Sequence, residues 1–128
     1  MQGSQLVEKL VLDSKTLGSL ECEKNFMMET VRRLSDEVWG LKQTIADLAR
    51  EKKKQRSKPG DNHLIKSALF ERRFVLTRHQ RALHERLRSI SQNRRRALER
   101  VRMTERQIGL FKTRVAAARG GLLKNPPH

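Results

Sequence analysis

Tyrosine is absent from this chain, and Trp39 with four phenylalanines supplies all of its aromatic surface. Aromatic side chains bury the most area per residue, so their scarcity argues against a thick, multilayered core. Cysteine occurs once, as Cys22. One thiol cannot form an intramolecular disulfide, and it suits a reducing compartment. Proline is confined to Pro59, Pro126 and Pro127, which leaves two long stretches with nothing to break a helix. No apolar run approaches the roughly 20 residues needed to cross a bilayer. The order of a secretory signal, a basic segment and then an apolar run, is not found at the start, so a cytoplasmic location is expected. Carboxylates are few: 14 Asp and Glu face 29 Lys and Arg, for a net charge of +15. So basic a balance points to an acidic partner, a nucleic acid or an anionic surface. The length of 128 residues fits one domain at most.

What is present is a heptad. Leu34, Val38, Leu41, Ile45 and Leu48 recur in steps of four and three. The register extends back through Val31, Met27, Leu20, Leu17, Leu10 and Leu6. A repeat of 3.5 residues keeps one narrow apolar seam facing a partner helix. Asp13 and Lys24 are polar members of that seam, and such residues restrict register at some cost in stability. The spacing predicts a first helix over 1–56, followed by a turn over 57–62. Pro59-Gly60 is a strong turn signal, and Asp61 or Asn62 suits the N-cap of a second helix.

The second helix is expected over 63–121. Leu69, Leu76, Leu83, Leu87, Ile90, Ala97, Val101, Ile108, Phe111 and Val115 keep the same alternation, interrupted by Arg73, Gln80 and Arg94. Phe70, Phe74 and Val75 are placed to widen the packed surface near the turn. Gly120-Gly121 would end the helix, because glycine readily takes the left-handed conformation after a helix C-terminus, with a flexible tail over 122–128. Two such seams joined by a short turn predict an all-α fold, a long antiparallel coiled-coil hairpin of two helices. A parallel dimer through the first helix is the structural rival, since Val or Ile at a with Leu at d favours two parallel strands. Association into a homo- or hetero-oligomer is expected either way, because a lone pair of helices buries little.

The charge is unevenly placed. Residues 1–60 hold 12 basic and 9 acidic side chains, whereas residues 61–128 hold 17 and 5. Arginine dominates the second half, and its planar fork pairs bidentately with carboxylates and phosphates. The candidate partner-binding residues are Arg72, Arg73, Arg94, Arg95, Arg96, Arg100 and Arg106, with Trp39 as an aromatic anchor. A surface run of arginines can also be nothing more than a solvated helix face. As a binding face it would take an acidic protein or nucleic acid. Nucleic-acid motifs are missing: there is no zinc-finger spacing, no aromatic sheet motif and no helix-turn-helix spacing.

Catalysis is not expected. The chain contains no G-x-x-x-x-G-K-[ST], G-x-G-x-x-G or G-x-S-x-G signature, and a two-helix rod builds no pocket of its own. His79 and His84 are five residues apart, not the four of a helical zinc pair, and His63 and His128 stand alone. No metal or cofactor is therefore expected. Cys22 has no nearby histidine and reads as a buried or seam-flanking thiol.

The stretch Leu76-Thr-Arg-His-Gln-Arg-Ala-Leu-His-Glu-Arg-Leu, continued by Ala97-Leu-Glu-Arg and Gln107-Ile108, resembles the return helix of the FliJ/YscO family. These are small stalk proteins of flagellar and virulence type III export. The chain also resembles that family in size, in its two long helices and in its central turn. The resemblance implies a cytoplasmic hairpin that enters the channel of a hexameric export ATPase and links it to the export gate. The basic second helix would then meet acidic loops of the channel. A scaffold or cytoskeletal subunit of the same shape is a further alternative.

Overall fold

A computed structural model describes residues 3–124. They form two α-helices, α1 over Gly3–Lys54 and α2 over His63–Lys124, with no strand among the described residues. The helices pack against each other as a helical hairpin. α2 starts at the expected His63, whereas α1 ends two residues before, and α2 three residues after, the expected positions 56 and 121.

The turn has a definite chemistry. Three lysines, Lys52, Lys53 and Lys54, close α1, where cations complement the negative end of the helix dipole. The Asp61 N–H donates to the Lys58 carbonyl at 3.1 Å, with Pro59 and Gly60 between them. Gly60 has φ of 90°, the left-handed value required at the second central position of such a turn. The Asp61 carboxylate accepts a second bond from the Lys58 N–H at 2.6 Å. Asn62 Oδ1 accepts from the Ile65 N–H at 2.9 Å. Asn62 is therefore the N-cap of α2, and Asp61 fastens the turn.

The hairpin divides into two contact units. In the terminal unit, residues 3–31 pack on 96–124. Its core is a row along α2, Ala97, Val101, Ile108, Val115 and Ala118, against Met27 of α1. Thr104 and Asp13 are buried in the same seam, and Asp13 Oδ2 has no hydrogen-bond partner. Lys24, the other polar seam residue, is half-buried and reaches Glu105 at 3.5 Å. Pairing of Lys24 with Glu105 and of Leu6 with Gly121 makes the two segments antiparallel.

In the turn unit, Arg32–Arg95, Ile90 is the one buried residue. Leu34, Val38, Leu41, Ile45 and Leu48 are half-buried against the half-buried Leu69, Leu76, Leu83 and Leu87. Here the expected widening of the core does not occur. Phe70, Phe74 and Val75 are 67%, 55% and 64% exposed. The reason lies in α1, whose seam turns polar after Leu48 with Lys52 and Gln55, so the apolar residues of α2 have no apolar counterpart there.

Two further expectations are corrected. Gly120 and Gly121 do not end α2, which continues to Lys124. Gly60 alone has a positive φ among the described residues. Leu122 extends the seam by one step beyond Ala118 and is half-buried, and a Cβ on Gly121 would lie 3.9 Å from Leu6 Cδ1. Tertiary packing thus overrides the local preference of glycine. Of the expected tail, 122–124 is helical, and 125–128 lies outside the described residues. Of the two readings of Cys22, buried or seam-flanking, burial does not hold, because the thiol is exposed.

Candidate functional site

The arginines of α2 stand in different surroundings. In the terminal unit, Arg96, Arg100 and Arg106 are exposed. Arg100 reaches Glu23 of α1 at 4.0 Å, with both side chains largely in water. A pair of that kind contributes little to stability and leaves the guanidinium available. On the same unit, Met28, Val31, Leu98 and Val101 line a shallow hollow of about 320 Å³ edged by Arg102 and Glu105.

In the turn unit, Arg72, Arg73 and Arg95 are exposed. Arg94 is not free: its Nε–H donates to Ser35 Oγ at 2.7 Å across the two helices. One of the three residues that interrupt the apolar seam is thus a cross-helix tie. It also lies near the aromatic candidate of this unit. Trp39, 66% exposed, shares a hollow of about 290 Å³ with Val38, Lys42 and Arg94. The indole and the guanidinium, distant in sequence, therefore border one surface depression.

Nearer the turn lie two adjoining hollows, of about 380 and 220 Å³. Lys52 and Arg73 line both. The first adds Lys53 and Arg56, and the second adds Phe70, Phe74, Arg78 and Arg81. Neither is lined by a carboxylate. Of these residues only Arg73 stood among the candidates. The signal that locates the rest is the phenylalanine pair, four residues apart and so on one helix face, opposite the point where the α1 seam becomes cationic.

His63, His79 and His84 are exposed, and His128 lies outside the described residues. No group of three or more His, Cys, Asp or Glu side chains that could hold a metal ion occurs among the described residues. No helix among them is long and apolar enough to cross a membrane. The chain matches no protein-family model, no curated protein and no solved structure.

Proposed function

We propose that this protein is a non-enzymatic, cytoplasmic coiled-coil adaptor or stalk whose second helix binds an acidic surface of a partner protein. The observation that supports this most is the contrast within α2. Its seam face is apolar and packed, whereas Arg72, Arg73, Arg95, Arg96, Arg100 and Arg106 are all exposed. An adaptor of this design holds a partner by charge complementarity, which favours rapid encounter and correct orientation. The resemblance to the FliJ/YscO family suggests a specific form of the reading, in which the partner is a hexameric export ATPase.

The second reading is a nucleic-acid-binding coiled coil, favoured by the density of arginine between 72 and 106. One pair of measurements separates the two. The adaptor reading expects the triple charge reversal Arg95→Glu, Arg96→Glu, Arg100→Glu to weaken capture of a purified export ATPase, or of another acidic protein partner, by about tenfold or more. It also expects no appreciable binding of a fluorescent DNA duplex at low salt. Duplex binding that falls steeply with rising salt, as release of counterions from phosphates requires, would favour the nucleic-acid reading instead.

A further inference from the structure

The turn unit combines three properties that the exposed arginines alone do not explain. Its core is thin, with Ile90 as its one buried residue. It exposes five large apolar side chains on the first turns of α2: Leu64, Ile65, Phe70, Phe74 and Val75. It is also strongly cationic around them, since residues 52–81 carry ten basic side chains and two acidic ones, Asp61 and Glu71. Asp61 is already engaged by the Lys58 N–H.

We infer that the hollow formed by Phe70 and Phe74, rimmed by Lys52, Arg73, Arg78 and Arg81, is the docking site for an acidic amphipathic helix of a partner protein. The inference rests on the adaptor reading and gives it a location and a chemistry. Phe70 and Phe74 sit one helical turn apart, and both line the hollow beside Lys52 of α1. They present an apolar floor that a helix can cover with residues at matching spacing, as in other helix-in-groove complexes. The surrounding guanidinium and ammonium groups suit carboxylates flanking that apolar stripe.

Charge complementarity selects the occupant. A second copy of this chain would bring its own positive charge to the site. A nucleic-acid duplex offers phosphates but nothing to cover two phenylalanines. An acidic amphipathic helix uses both the floor and the rim. Burial of the apolar side chains would also complete the core that the α1 seam leaves open after Leu48.

The test uses the full chain and a labelled synthetic peptide of about five helical turns, with leucine every third or fourth position and glutamate elsewhere. A control peptide has the same composition with its leucines spread around the helix. The expected result is that the amphipathic peptide binds and the control binds at least about tenfold more weakly. Phe70→Ser with Phe74→Ser should weaken the amphipathic peptide by about tenfold and leave the control unchanged. Phe70→Leu with Phe74→Leu should retain binding, and circular dichroism should show unchanged helicity in both variants. Equal binding of the two peptides, or indifference to the serine variant, overturns the site. If the Arg95/Arg96/Arg100 reversal abolishes peptide binding while the serine variant does not, the adaptor reading stands and this location falls. If phosphatidylserine vesicles or a single-stranded oligonucleotide bind in a Phe-dependent way and the peptide does not, both fail.

Discussion

Asp13 occupies a position in the seam of α1 where leucine would serve packing better, and it is buried with Oδ2 unpartnered. A buried acceptor without a partner carries a desolvation cost of about 1–3 kcal/mol. Asp13→Leu is therefore expected to stabilise the protein by about that amount and to raise the melting temperature by several degrees, as followed by circular dichroism. A lower melting temperature would show that the carboxylate has a stabilising role the static contacts do not reveal. The seam position of Asp13 was legible from spacing alone. So was that of Lys24, although its partner Glu105 was not, because the pairing register of α1 on α2 depends on the turn and on every seam residue at once. Arg94 was read both as an interruption and as a binding residue. Its bond to Ser35 gives the interruption a structural role, and no local pattern marks Ser35 as the acceptor. The exposure of Cys22 was in fact legible: midway between the seam positions Leu20 and Lys24, it falls on the side of α1 away from the seam.

Helix ends show where local rules hold and where packing overrules them. At the turn, Pro59, Gly60 and Asn62 act as their intrinsic conformations dictate, since nothing presses on them from elsewhere. At the other end of α2, glycine's preference for a left-handed stop yields to packing, with Leu6 close by Gly121 and Leu122 half-buried. A Cβ at Gly120 would meet nothing within 4 Å, and glycine inside a helix is about 1 kcal/mol less favourable than alanine. Gly120→Ala should accordingly stabilise the last turns of α2 and slow amide exchange over 118–124. Faster exchange there would restore the reading of Gly120-Gly121 as a helix stop. The exposed Phe70, Phe74 and Val75 mark the complementary limit. Their spacing announced apolar character, but whether they pack depends on what α1 offers opposite them, and that is Lys52 rather than another leucine.

For the molecule as a whole, the hairpin was legible because the two seams are long and a Pro-Gly turn lies between them. The parallel dimer that one seam would also permit is tested directly by the Ser35–Arg94 contact. Ser35→Cys with Arg94→Cys, in a Cys22→Ser background, is expected to be bridged within one chain by a short bismaleimide crosslinker at any protein concentration, seen as a faster-migrating monomer. Crosslinked dimers that grow with concentration would support the parallel arrangement. The candidate site was only half legible. Arginine density located the charge, but the apolar floor beneath part of it emerges only when the α1 seam is seen to run out. The proximity of Leu6 to Gly121 carries a practical corollary. The opening turns of α1 and the closing turns of α2 are neighbours in the terminal unit, so a pair of fluorophores, one on each, would act as a built-in gauge that goes dark or bright as the two arms of the hairpin part company.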